Sequence, residues 1–272
     1  MSKMPHIGLD SSVGATAAIL PGDPVRVDAA AAYLEDVREE AFSREYKSIT
    51  GTYRGVRVLV ISTGMGGAST AICAEELADL GFTDLVRIGS CGALQKQLSL
   101  GQLVLCDRAV CDDGTSQTYT DYLRYAGSVP GHPGPALCKN ESAALPAEHI
   151  QYVHSDSALL SACESAARSL GFSYAVGPTR CHDALYLRIK PQLDEYYSGR
   201  GVFASDMETA ALYAAASLRG IRAASILNVV VEWKKDLKEG ISSYKDGEDA
   251  AATGEKNEIL TALEALYRIQ NA

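Results

Sequence analysis

The run Leu85-Val-Arg-Ile-Gly-Ser-Cys-Gly-Ala93 opens apolar, passes through an arginine and ends in two glycines three residues apart that flank Ser90 and Cys91. Its apolar positions predict a strand over Leu85–Ile88. The glycines predict a turn at the strand's carboxyl end, where backbone N–H groups approach an anion with no Cβ in the way. A lone Gly-x-x-Gly joins strand to helix as readily as it binds anything. Two further glycine stretches upstream sharpen the reading, each beside a basic or hydroxyl residue: Pro21-Gly-Asp-Pro-Val-Arg26 and Ser62-Thr-Gly-Met-Gly-Gly-Ala-Ser-Thr70.

Outward from these stretches, 272 residues are enough for one large α/β domain or two small ones with a sizeable core, and nothing resembles a linker between halves. A net charge of −9 argues against nucleic-acid and anionic-membrane partners. An anionic substrate then requires locally clustered arginines. No apolar run approaches the roughly 20 residues that span a bilayer, and the amino-terminal Met-Ser-Lys-Met-Pro-His has no apolar signal core. Seven cysteines without Cys-x-x-Cys spacing suit reduced thiols in a cytoplasm.

Strands and helices alternate along the chain. Thr16–Leu20 reads as a strand stopped by Pro-Gly. Asp23 as N-cap and Pro24 at the first helical position then start a helix through Val27 to Leu34. Arg26 falls in its first turn, where a phosphate ligand and a solvated surface arginine are both open readings. Tyr53–Ile61 reads as a hairpin turn entering a buried strand. A helix starting at Ser69 or Thr70 places Ile72, Ala74, Leu77 and Leu80 near helical spacing. Leu103–Leu105 and Tyr174–Val176 are short strands, Ala158–Leu170 an amphipathic helix, Glu208–Leu218 an alanine-rich buried helix ended by Gly220, Ala223–Val231 a long β-branched strand and Glu258–Ile269 a closing helix. From Asp112 to about Ala147 the texture is that of a long loop, and Lys234–Gly254 is a charged lid candidate. In such folds ligands collect at the carboxyl ends of strands, where the glycine stretches fall.

Ser205-Asp-Met-Glu208 stands at the start of the alanine-rich helix. Its two carboxylates suit the helix dipole as caps. The functional alternative has Glu208 accepting both hydroxyls of a ribose, with Met207 packed on the sugar.

Gly22-Asp-Pro-x-Arg26, Ser62-Thr-Gly-Met-Gly-Gly-x-Ser69, Arg87-Ile-Gly-Ser-Cys-Gly-Ala93 and Asp206-Met-Glu208, in this order, closely resemble the nucleoside phosphorylases of the uridine phosphorylase and hexameric purine nucleoside phosphorylase family. The resemblance runs over nearly the whole chain. It implies one α/β domain over residues 1–272, with a mixed, barrel-like central sheet flanked by helices. It also implies dimers that assemble into a homohexamer, and cleavage of a nucleoside by inorganic phosphate to free base and (deoxy)ribose 1-phosphate. By matching position, Gly22, Arg26, Arg87 and Ser90 resemble the family's phosphate ligands, and Arg44 the arginine that reaches a neighbour's phosphate. Met207 and Glu208 resemble its ribose ligands, and His6 the histidine that closes over a neighbour's ribose. Glu45 and Ser69 match positions for a monovalent cation, K+, between dimer partners; no other cofactor is implied. Arginines holding a phosphate dianion beneath the sugar position the nucleophile and stabilise an oxocarbenium-like state, so no cysteine is needed as a nucleophile. Cys91 becomes a packing residue beside the base.

Base choice rests on less. Purine-specific relatives carry an aspartate that protonates N7, and Val231 stands at that position, followed by Glu232 and Trp233. Asp113-Gly-Thr-Ser116 looks like an Asp-Gly-x-Ser stretch of uridine phosphorylases. The glutamine and arginine that hold uracil in that family have no direct match; Arg188 and Gln192, in a shifted register, are expected to supply them beside Cys91 and Gly92. Two departures from the family pattern are Asp206, where a glutamate is usual, and a longer loop between Ser116 and Ala147. Uridine is therefore the expected substrate, a purine nucleoside the alternative. Hydrolysis by a nucleosidase fits less well, because Arg26, Arg44 and Arg87 are all present. A binding protein without activity predicts loss of Glu208 or of the arginines.

Overall fold

In the computed structural model, which describes residues 3–126, 150–245 and 249–271, the central strand β5 (Asp84–Ala93) pairs with three others. It runs parallel to β1 (Ala17–Pro21) and to β10 (Arg222–Val231), and antiparallel to the short β9 (Ala204–Asp206). β10 continues to β6 (Leu103–Asp112), β6 to β8 (Tyr174–His182) and β8 to β9, which returns to β5. These five strands close a mixed barrel. On its far side β1 leads to β4 (Val56–Ile61), β3 (Tyr46–Tyr53) and β2 (Glu35–Ser43), and β7 (Tyr152–His154) pairs with β6.

Residues alternate across the sheet with the strand period of two. Leu85 faces one core with α2 (Gly67–Asp79) and α6 (Thr209–Arg219), through Cys73, Leu77 and Leu212. Val86 and Ile88 face the other with α4 (Ser157–Leu170) and α8 (Asp249–Gln270), through Leu159, Ile259, Leu263 and Leu266. Each fully buried leucine or isoleucine contributes about 1.5–3 kcal/mol relative to exposure. The barrel-like α/β fold expected from the sequence is the observed one.

Local signals hold where they are strongest. Asp23 accepts from the Val25 amide and caps α1 (Pro24–Ala31), which ends three residues earlier than Leu34. Gly220 closes α6 in the left-handed conformation at φ 66°. Other expectations are corrected. The strand of Leu85 does not stop at Ile88: Gly89 and Gly92 stay extended and paired, against Leu227 and against Val231 and Ser205. β2 has no counterpart in the sequence reading, because its residues are largely exposed and charged and give no alternating pattern. α2 begins at Gly67, before Ser69. The long loop expected from Asp112 begins instead as α3 (Gly114–Ala126), started by the Asp113 carboxylate accepting from the Ser116 amide; most of the rest of that expected loop lies outside the described residues. The expected charged lid is largely helical: α7 (Leu237–Lys245) and the first turns of α8 pack Leu237, Ile241 and Ala251 on Val230 and Val231. Among the described residues, no helix is long and apolar enough to cross a membrane.

Candidate active site

β1, β4, β5 and β10 are mutually parallel, so their carboxyl ends share one edge. Gly22 follows β1 and Thr63–Gly67 follows β4. The Thr63 amide donates to the Pro21 carbonyl at 2.8 Å, and a Cβ on Gly22 would lie 3.3 Å from the Gly64 carbonyl oxygen. Glycine at 22 thus allows two backbones to touch.

Arg87, 3% exposed, is the charge at the centre of this edge. Its Nε donates to Asp206 Oδ2 at 3.2 Å and its Nη2 to Glu208 Oε2 at 2.5 Å. A Cβ on Gly89 would meet Arg87 Nη2 at 2.6 Å, so the first glycine of the motif makes room for the guanidinium rather than for a turn. The two carboxylates divide the roles that the sequence left open. Asp206 is the structural one: its Oδ2 accepts from the amides of Glu208 and Thr209 and from the Thr209 hydroxyl, and its Oδ1 from Thr179 and Cys181. Burial pushes its carboxyl up, but Arg87 and these bonds outweigh that and hold it below the usual range. Glu208 makes no cap; its Oε1 accepts from the Gly66 amide at 2.6 Å. Gly66 can aim that amide only because its φ is 99°, a conformation side chains avoid. Burial, with Asp206 adding to it and Arg87 opposing, leaves Glu208 above the usual carboxylate range. The Ser62–Ser69 stretch therefore orients the glutamate.

Arg26 projects from the first turn of α1 and is also buried. Its Nε lies 3.1 Å from Glu255 Oε2 and its Nη1 3.4 Å from Glu258 Oε1, both on α8. Glu258, wholly buried, accepts from the Gly89 amide through Oε2 at 3.2 Å. Neither glutamate stands out in the sequence, where Glu258 only starts a helix. Ser90 and Cys91 follow on β5, and Ser90 pairs with Asn228. The buried Cys91 thiol is held well above its ordinary range by burial. Met207 is half-buried between the two carboxylates.

His182 and Arg180, at the end of β8, are buried residues that the sequence reading passes over. His182 Nε2 lies 3.0 Å from Ser205 Oγ, and Ser205 pairs with Gly92. Burial, with Arg180 adding to it, lowers the imidazole to about 4. Arg180 is held by Asp112 at 2.6 Å and stacks over Tyr197. A run of Thr-Arg-Cys-His in a strand is the available signal. Arg188 and Gln192 are exposed and make no side-chain hydrogen bond among the described residues, so the structure does not bring them to the cluster. Asp113 and Ser116 hydrogen-bond each other at the start of α3.

Among the described residues, neither His6 nor Arg44 hydrogen-bonds or pairs with Arg87. The His6 ring holds Glu76 through Nδ1 at 2.6 Å. Arg44 is exposed on the β2–β3 turn at φ 57°. A Cβ on Gly64 would touch Glu45 Cγ at 2.8 Å and Ser69 Oγ at 3.5 Å, which brings those two residues to one place.

The sequence profile of the phosphorylase superfamily matches residues 16–262. A uridine phosphorylase of Thermococcus kodakarensis is 34% identical, over 82% of this chain and 76% of that one. A guanosine phosphorylase of Halorubrum lacusprofundi is 32% identical, over 84% and 83%. The solved structure of uridine phosphorylase from Vibrio fischeri superposes with a TM-score of 0.81 at 31% identity, covering 98% of both chains.

Proposed function

Because the chain belongs to the phosphorylase superfamily, we propose that it cleaves the N-glycosidic bond of a nucleoside, uridine foremost, with inorganic phosphate, releasing free base and (deoxy)ribose 1-phosphate in nucleoside salvage. The observation that carries this reading is the buried bridge from Arg87 to Glu208, completed by the Gly66 amide. One guanidinium joins a carboxylate suited to a ribose diol and a face suited to phosphate.

Arg26 and Arg87, with Gly22, Ser90 and a neighbour's Arg44, take the phosphate; Glu208 and Met207 take the ribose under a neighbour's His6. As the bond breaks, positive charge grows on the sugar and negative charge on the base. A dianion held below the sugar answers the first, and that charge complementarity is the strongest stabilisation such a site can supply. Uracil leaves as an anion if donors meet its carbonyl oxygens. Cys91 and Gly92 border that space, with Arg188 or Gln192 reaching it if their segment closes. A purine gains from a proton donor at N7, typically worth 10²–10⁴ in rate, and Val231 has none to give. The guanosine phosphorylase relative supports a purine reading, in which Glu232 is the first acid to test.

The active unit is at least a dimer, assembled as a hexamer, since Arg44 and His6 serve only a neighbouring chain. Glu45 and Ser69 offer the hard oxygen ligands that K+ takes. Buried thiols such as Cys73, Cys106 and Cys163 suit a reducing cytoplasm. Uridine, thymidine, inosine and adenosine, each assayed with and without phosphate, test the reading. Uridine cleavage that requires phosphate is expected; cleavage in its absence, or inosine cleaved faster, rejects it. An active monomer in light scattering rejects the assignments of Arg44 and His6.

A further inference from the structure

Glu258 stands where the proposed phosphate site has its own donors. Its carboxyl takes the Gly89 amide at 3.2 Å and faces Arg26 Nη1 at 3.4 Å, and its Oε1, although wholly buried, has no hydrogen-bond partner among the described residues. Arg87 Nη1, also buried, has none either. The charge balance is adverse to an incoming anion. Arg26 and Arg87 bring two positive charges, against four carboxyl groups on Asp206, Glu208, Glu255 and Glu258. A phosphate dianion entering beside an ionised Glu258 would face like charge at hydrogen-bond range in a dry site.

We propose that Glu258 determines which anions this site admits by meeting them as a neutral acid: charged, its carboxyl keeps the cradle closed to a dianion; protonated, it donates a hydrogen bond to a phosphate oxygen. This rests on the phosphorolytic reading above. The groups that face Glu258 are Arg26 on α1, Arg87 and Cys91 on β5, and Glu255 one turn earlier on α8; β10 presents the neutral Asn228, beside Gly254. Burial pushes the Glu258 carboxyl up to about 8, Arg26 opposing and Glu255 reinforcing. The thiol of Cys91 is held well above its usual range and Arg87 keeps its charge, so Glu258 is a group here poised to change charge near neutrality.

Sulfate tests this without catalysis, because it stays a dianion from about pH 6 to about pH 9. Calorimetric titration of the whole protein with sulfate is expected to show a steady Kd at the acid end and a tenfold weakening per unit above about pH 8. Glu258→Gln, which keeps a donor and loses the charge, is expected to bind sulfate equally at every pH. The same slope in both proteins overturns the proposal. Should the variant fail to fold, the wild-type protein decides alone: at about pH 9, titrations in buffers of different ionisation enthalpy should report close to one proton taken up per sulfate bound. No proton uptake, or no sulfate binding at any pH, overturns it. Phosphorolysis with a flat, proton-neutral sulfate profile rejects this inference and leaves the function standing. Sulfate binding that is proton-coupled in the wild type and pH-independent in Glu258→Gln, without phosphorolysis, upholds the inference and rejects the function.

Discussion

Arg87 and Arg26 stand in one cradle and are held in opposite ways. Arg87 rises from the middle of the sheet to two carboxylates on a single short turn, and those carboxylates are themselves anchored by Gly66, Thr179, Cys181 and Thr209. Arg26 stands on a helix of eight residues and meets two glutamates one turn apart on α8. One of those glutamates keeps an oxygen without a hydrogen bond among the described residues. The first arrangement is a fixed frame: every atom of Asp206 is committed, so the position of Arg87 is settled before any ligand arrives. The second rests on an ion pair with Glu255, with the Glu258 carboxyl beside it, and a competing anion can take it over. The phosphate site proposed above would gain from having one of each, since preorganisation lowers the cost of binding and an exchangeable partner keeps the site satisfied when empty.

Arg87→Ala should break the frame and produce the largest effect. On the proposed reading it removes a charge from beneath the sugar, worth about 3 kcal/mol or roughly a hundredfold in kcat/KM. It also strands two buried carboxylates, at about 3–5 kcal/mol of stability. Kinetics together with urea unfolding check both, and near-normal turnover would remove Arg87 from the site.

The two sides should also answer pH with opposite sign. His182 lies on the Arg87 side and its folded pKa of about 4 is below its ordinary 6.5, so the unfolded chain binds more protons between them. Stability from this group is complete above about pH 6.5 and is lost as pH falls through 4, up to about 3 kcal/mol. Glu258 lies on the Arg26 side and its folded pKa of about 8 is above its ordinary 4.5. Here the folded protein binds more protons, and the contribution is complete below about pH 4.5 and is lost as pH rises through 8. Thermal melts of His182→Gln should show a flattened acid limb, and those of Glu258→Gln a flattened alkaline limb. Unchanged limbs in either variant would contradict the corresponding burial argument.

Arg26→Ala should have the smallest effect. Phosphate KM is expected to rise about tenfold, the value of one charge-assisted contact of about 1.5 kcal/mol. Nucleoside KM should stay within a factor of two or three, a number on the order of ordinary surface effects. Stability should fall less than in Arg87→Ala, because Glu258, which titrates at about 8, is left with no unpaired charge near neutrality. A loss in kcat/KM as large as that of Arg87→Ala would erase the contrast between the two arginines.

What the chain carries locally is legible without coordinates. Asp23 before Pro24 starts α1 because a cap bonds amides only two or three residues away, and Gly220 ends α6 because only a short reach of backbone is involved. The order of the four motifs, with Arg26, Arg87 and Glu208 inside them, is likewise read directly, and it leads to the family and to most of the cluster. Three things were decided only by the tertiary structure. Gly89 and Gly92 read as a turn, yet strands up to 139 residues distant hold them extended, since Gly89 pairs with Leu227 and Gly92 with Val231. Asp206 and Glu208 look interchangeable at a helix start, and it is the packing of β8 and of the Gly66 loop that makes one a cap and turns the other to Arg87 and the Gly66 amide. Glu255 and Glu258 look like surface charges of a closing helix, and they reach Arg26 across most of the chain length. Capping and turn chemistry act within a few residues, so sequence encodes them openly. Burial and ion pairing depend on which distant segments meet, and the charge state of a carboxyl is set by that meeting.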